Sequence, residues 1–270
     1  MNNVFIYWNG YDYKLIKLLR NIIYLHANSG NGYKVHFVNP TNITNYIYNI
    51  PPYFYNLHPA HQADFVRVNV ICDYGGIWLD SDVIVMESLD LLFDMINKKD
   101  GFFIKQNNDE IYNGVFGSKP HTKLMIMWKN KINIILDEKW QHLQWCDIGN
   151  TLLQKEYETS NLFNNYHIFN GLDTMYPINW DKCISEYLYK PYNNYKNIIR
   201  KFQPIIILVN SVYKELEYYP EKEILNGKRP INYFINKSLN SKPNIKKNNN
   251  FCKYITGLFI LIIVFLYNMV

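Results

Sequence analysis

The sequence predicts an α/β fold built as one domain, and three observations carry that expectation. A strand–helix–strand pattern opens the chain. A long helical pattern beginning at Pro59 is closed by Gly75-Gly76. A short apolar strand, Ile77-Trp78-Leu79, then delivers Asp80-Ser81-Asp82 at its end. The chain has 270 residues, 48% of them hydrophobic and 17% aromatic, enough for one sizeable core.

Residues 4–8 read as the first strand and end in Tyr7-Trp8-Asn9-Gly10. Over 13–27, Leu15, Leu18, Leu19, Ile22 and Ile23 recur at helical spacing, and Gly30-Asn31-Gly32 turns the chain into a second strand at 34–38. This opening lacks the third glycine of a dinucleotide fingerprint, which argues against a nicotinamide or flavin site. Thr41 is placed to cap a short helix that Pro51-Pro52 would end.

Residues 60–86 are the centre of the chain. Pro59 suits a first helical turn, and glycine ends helices in the left-handed conformation at low cost. Asp64 and Arg67, three apart, share a helix face. The two aspartates after the strand sit where an open α/β sheet binds ligands. Downstream, 88–96 reads as a helix, 101–105 as a strand, 124–136 as a helix and 204–209 as a last strand. His121 falls near a helix start.

The string Ala60, Ala63, Asp64, Arg67, Ile71, Gly75, Gly76, Trp78, Asp80, Asp82, Val83 matches A-x-x-A-D-x-x-R-x-x-x-[LI]-x-x-x-G-G-x-[YW]-x-D-x-D-V. It resembles the glycosyltransferases that use a DxD motif, most of all the capsule-type and Golgi mannosyl-type transferases, to which the glucosylating clostridial toxins are related. The resemblance spans roughly 4–215. It implies a nucleotide-sugar transferase domain of the GT-A type, a nucleotide-sugar donor (UDP- or GDP-hexose), transfer with retention, and a glycan, glycolipid or protein acceptor. The leaving diphosphate needs its charge stabilised, and Mn²⁺ or Mg²⁺ held by aspartate oxygens does this as a Lewis acid. By resemblance Asp82 holds the metal and Asp80 the ribose and the metal's hydration shell, while Asp64 and Arg67 meet sugar or phosphate. Trp8 would stack on the nucleotide base. Asn113 lies in a segment similar to the family's N-x-[FIV]-[IFM]-[GA]-[SA] and joins the donor-binding residues, on the acceptor side. The relatives' metal-binding His after the last strand is missing. Asn210 stands as its substitute, and Lys214 as a phosphate contact. Residues 147–151 lie where relatives carry a Gly-Pro-rich turn, but without the proline no role is assigned. Residues 176–180, similar to F-Y-P-I-x-W, read as structural.

The net charge of +5 is modest and carries no nucleic-acid stripe, so no nucleic-acid partner is expected. Four cysteines without paired spacing read as free thiols. Of the seven histidines, none forms a metal cluster by spacing, His58 and His61 included. The expected organisation is a catalytic domain over 1–235, a polar linker over 236–252 and a transmembrane anchor over 253–270. The apolar run 254–270 reaches the lower end of a membrane span, about 17–25 residues, and Lys246, Lys247 and Lys253 before it put the catalytic part on the cytoplasmic side. Two other readings stay open: a membrane-attached binder of nucleotide sugar or glycan that has lost catalysis, and an aspartate-nucleophile phosphohydrolase. The second is disfavoured because no later paired acids follow.

Overall fold

The computed structural model describes residues 2–106, 109–171, 203–208 and 218–241. Strand β1 (Asn3–Tyr7), helix α1 (Lys14–His26) and strand β2 (Lys34–Val38) form the opening unit, with β1 parallel to β2. Helix α2 (Pro59–Tyr74) leads into β3 (Gly76–Leu79), which returns on the other side of β1, again parallel. After β4 (Val83–Val85) come α3 (Asp90–Lys98), the antiparallel pair β5 (Gly101–Lys105) and β6 (Ile111–Ser118), helices α4 (Lys123–Lys139) and α5 (Asn150–Thr159), and β7 (Tyr166–Asn170). The main sheet runs β2-β1-β3-β6-β5-β7 and is mixed, because β6 is antiparallel to both neighbours. The α/β class expected from the sequence is the one observed.

The central strands β1 and β3 are buried on both faces, and the alternation of their side chains sorts the core into two layers. Val4, Ile6, Ile77 and Leu79 pack with α1; Phe5, Tyr7 and Trp78 pack with α2 and α4. This alternation matters for the site, since a residue two beyond Trp78 faces α2 as well. The Gly75-Gly76 pair is demanded by the backbone: both have positive φ (64° and 118°). A side chain at Gly75 would stand 2.6 Å from the Pro120 ring, and one at Gly76 would run into the Asn3 carbonyl.

Several local expectations are revised. Thr41 caps no helix. Its hydroxyl donates to Asn39 Oδ1 at 2.6 Å, and a short 3₁₀ turn, Ile43–Asn45, follows Asn42. Pro52 opens a second 3₁₀ turn, Pro52–Asn56, rather than following a helix end. The helix expected from 88 starts at Asp90, whose amide donates to Ser88 Oγ at 3.2 Å. β4 leaves the main sheet and pairs antiparallel with β8 (Ile205–Ile207).

Two C-terminal helices, α6 (Glu221–Asn226) and α7 (Pro230–Asn240), cover the α1 layer. Helix α7 runs through the boundary expected at 235, so 236–240 is helix and not linker, and Ser238 is fully buried. Among the described residues no helix is long and apolar enough to cross a membrane. The expected anchor, 253–270, lies outside the described residues, as do Asn210, Lys214, the 176–180 segment, Cys183 and Cys252. Cys72 and Cys146 are free thiols.

Ser238 also joins α7 to the rest. Its hydroxyl donates to Val85 O at 2.5 Å, so His26 Nε2, 3.0 Å away, is the donor to Ser238 Oγ. His26 Nδ1 is buried with no partner. A second proton there would be buried without an acceptor, and burial holds this imidazole below its ordinary pKa. The unfolded chain therefore binds the proton more readily. The contribution of His26 is present above about pH 6.5 and is lost as pH falls through the lower folded value. His26→Gln should cost about 1 kcal/mol at pH 7.5 and much less at pH 5. Urea midpoints at the two pH values check this, and a constant gap would refute it.

Candidate functional site

The order β2-β1-β3 means that the chain leaves β1 in one direction to reach β2 and lies in the other to form β3. Between β1 and β3 the C-terminal strand ends open a crevice, the switch point at which open α/β sheets bind ligands. Trp8-Asn9-Gly10 follows β1 there and Asp80-Ser81-Asp82 follows β3. The two are tied: Ser81 Oγ donates to Tyr7 O at 2.7 Å, and Asp80 N donates to Gly114 O on β6 at 2.8 Å.

Asp80 stands two residues beyond Trp78 and so faces α2. Trp78 Nε1 donates to Asp80 Oδ1 at 2.8 Å, and Arg67 Nη2 reaches the same oxygen at 3.1 Å. Arg67 Nη1 pairs with Asp64 Oδ1 at 3.1 Å and donates to Asn113 O, also at 3.1 Å. Asn113 Nδ2 closes the ring by donating to Asp64 Oδ1 at 2.9 Å. Arg67 Cζ lies 5.2 Å from the Trp78 ring centroid. Its Nε is buried and has no hydrogen-bond partner.

One buried guanidinium thus faces two carboxylates. Burial pushes both Asp64 and Asp80 above the ordinary carboxylate range, even though Arg67 pulls each of them down. Burial also works against the charge of Arg67, but Asp80 and Asp64 outweigh it and hold the guanidinium above its usual value. The arrangement carries more negative than positive charge, and Asp82, partly accessible at the mouth, adds to the excess. Asp80 keeps 25% of its side chain accessible. A hard divalent cation fits this oxygen-rich, electronegative mouth. Asp80 and Asp82 are the residues that would hold it. A separate trio, Cys72, Asp73 and His121, brings ligand atoms within 4.8 Å of one another. It lies at the far end of α2, and Asp73 there is already paired with Lys129 at 2.7 Å.

Trp8 is half-buried on the rim and is not a core tryptophan. Its Nε1 donates to Tyr11 O at 3.3 Å. Beside it, Asn9 Nδ2 and Tyr7 OH both donate to the buried Gln62 Oε1 at 2.6 Å. Of the residues singled out from the sequence, Asp64, Arg67, Asp80 and Asn113 meet in one network, with Asp82 and Trp8 at its edges. His58 and His61 are satisfied: His58 Nδ1 accepts from Ala60 N, and His61 Nε2 donates to Gln144 O.

The sequence reading gave residues 149–150 no role. Asn150 Oδ1 accepts from Asn113 N at 3.1 Å, orienting it. Gly149 lies so close that a Cβ would stand 2.6 Å from Asn113 Nδ2 and 3.0 Å from Asp64 Oδ1. The Asp-Ile-Gly-Asn stretch before a helix was the available signal, with a glycine where backbone must approach closely.

Over residues 1–265 the sequence matches the family described as capsular polysaccharide synthesis protein. It is 26% identical over 135 residues to an uncharacterized protein of Arabidopsis thaliana, covering 49% of this chain and 20% of that one, so it spans about a fifth of that relative's length. Solved structures similar to it include three glycosyltransferases. One is involved in the glycosylation of the major capsid of PBCV-1 (9% identity, 64% of this chain and 84% of that one, TM-score 0.42). Another is the apo form of GlyE from Streptococcus pneumoniae (13%, 83% and 62%, TM-score 0.46). The third is the galactosyltransferase LgtC with donor and acceptor sugar analogs (12%, 84% and 99%, TM-score 0.38). With the match reaching across residues 1–265, the chain belongs to the capsular polysaccharide synthesis protein family.

Proposed function

We propose that this chain is a metal-assisted glycosyltransferase that moves a hexose from a UDP- or GDP-sugar to a glycan, glycolipid or protein acceptor with retention of configuration. The observation that carries the reading is the Asp64–Arg67–Asp80 chain at the β1/β3 crevice with Asp82 beside it. When bound, Mn²⁺ or Mg²⁺ supplies Lewis-acid stabilisation of the departing diphosphate. The protein's part is positioning. Asp80, gripped by Trp78 and Arg67, presents its remaining oxygen to donor ribose and to the cation's hydration shell. Asp82 would offer a carboxylate oxygen to the cation. Arg67 and Asp64, oriented by Asn113, address the sugar hydroxyls from below. By the resemblance, Asn210 would supply a further metal ligand and Lys214 a phosphate contact. Incubating the full chain with a panel of nucleotide sugars and Mn²⁺, and measuring released nucleoside diphosphate, tests the proposal. A panel in which no donor is bound or hydrolysed sinks it.

Trp8 serves as the base platform in this reading. Trp8→Ala should weaken donor binding by roughly 1–3 kcal/mol, as base–aromatic stacking does elsewhere. A calorimetric titration with unchanged affinity would assign the ring to rim packing instead. The run 253–270 anchors the enzyme to a membrane, with the catalytic part on the cytoplasmic side. Removing residues 246–270 should release soluble protein with unaltered donor hydrolysis. Recovery of the full chain in a washed soluble fraction would defeat that assignment.

A further inference from the structure

Residues 144–150 border the Asp64 end of the site, and they carry an aromatic side chain with no part in the donor reading. Trp145 is 66% exposed. Indole gains most when its flat apolar face is covered, so a tryptophan exposed beside the site offers a face that a ligand there can cover. The rim is rigid on both sides. The His58 ring meets Trp145 edge-on, centroids 5.2 Å apart and planes at 63°, and His58 is itself fixed by accepting from Ala60 N at 3.2 Å. Gln144 O accepts from His61 Nε2 at 3.1 Å, while Gln144 N donates to Asp147 Oδ2 at 3.1 Å. Further along the same stretch Gly149 closes on Asp64 and Asn113. Trp145 therefore stands on the turn that walls one side of the site.

We propose that Trp145, steadied by His58, is the stacking face of an acceptor subsite for a neutral pyranose ring. The inference rests on the glycosyltransferase reading and names what that reading leaves open. A pyranose presents a patch of C–H bonds on one face and hydroxyls around its edge. An indole face covers the C–H patch, its negative quadrupole suits their slight positive charge, and the hydroxyls stay in water. A site that transfers sugar needs such a hold beside the reacting centre, and Trp145 is the one aromatic residue of the 144–150 stretch. Charge narrows the class. Next to this wall Asp64 and Asp80 share the single guanidinium of Arg67, with Asp82 beyond them, so carboxylates outnumber the cation. A uronic acid brought to this wall would meet like charge, so the subsite discriminates in favour of uncharged rings.

The test uses the full chain. Methyl glucoside, mannoside and galactoside, with methyl glucuronide as the charged control, are titrated by NMR in the presence of Mn²⁺ and nucleoside diphosphate. Donor hydrolysis without acceptor is followed in parallel. At least one neutral pyranoside should bind, and the glucuronide should bind more weakly. Trp145→Ala should weaken the neutral sugar by about tenfold, the size of one aromatic contact. Trp145→Phe should keep most of the affinity. Donor hydrolysis and melting temperature should be the same in wild type and both variants, since the ring is exposed. Wild type that saturates with no neutral pyranoside, or Trp145→Ala that binds them as tightly, overturns the subsite. Sugar binding that depends on Trp145 in a protein that hydrolyses no donor supports the subsite and sinks only the transferase reading.

Discussion

Asp82→Asn should cut sugar transfer by roughly a hundredfold to a thousandfold, about 2.7–4 kcal/mol of barrier. The substitution keeps the shape and removes one negative charge from a mouth whose function, in the proposed reading, is to hold a cation against the leaving diphosphate. The loss should fall on turnover more than on folding, because Asp82 is partly accessible. Excess Mn²⁺ should recover part of it by mass action. Chelator should silence the wild type, and added Mn²⁺ should restore it. Asp80→Asn should also impair the enzyme, chiefly by loosening the hold of Trp78 and Arg67 on the donor-facing oxygen. Steady-state kinetics at several Mn²⁺ concentrations check all of this. Full-rate transfer by chelated, metal-free protein would end the metal reading.

Arg67→Met should destabilise the fold by about 3–5 kcal/mol, because it leaves buried Asp64 and partly accessible Asp80 with no cation between them. Both carboxyl groups already lie above their ordinary pKa with Arg67 present. Without it they must take up protons or let water in. For a domain of this size, about 2–4 °C of melting temperature per kcal/mol makes the drop roughly 10 °C. The second-site test is sharper. Asp80→Asn in the Arg67→Met background removes one of the repelling charges and should return part of the lost stability, a coupling that a double-mutant cycle measures. Additive losses would mean that Arg67 acts through packing on Trp78 alone. Arg67→Lys should fall in between, since one ammonium cannot span Asp64 and Asp80 as the guanidinium fork does.

How much of this was legible in advance differs between elements. Residues 59–83 announced themselves, because each signal there is local. Proline suits a first turn, two glycines suit positive φ, and an apolar triplet suits a strand buried on both faces. The opening unit was readable for the same reason. Thr41 and Pro51-Pro52 misled because the same residues serve turns and helix ends alike, and Asn39 Oδ1 takes the Thr41 hydroxyl together with the Thr41 and Asn42 amides.

The amino-acid sequence by itself determined the α/β class, the helix α2, its glycine stop and the placing of Asp80 and Asp82 beyond a strand end. Those rest on backbone propensity and side-chain period, which act over a turn or a strand. Only the tertiary structure decided which side of the sheet Asp80 faces in company with Arg67, that Asn113 and Gly149 converge on Asp64, that β4 deserts the main sheet for β8, and that Ser238 lies under α1. Each of these joins residues far apart along the chain. Such partners are chosen by the packing of whole layers, where burial of apolar surface outweighs any local preference, and no short stretch of sequence contains that sum.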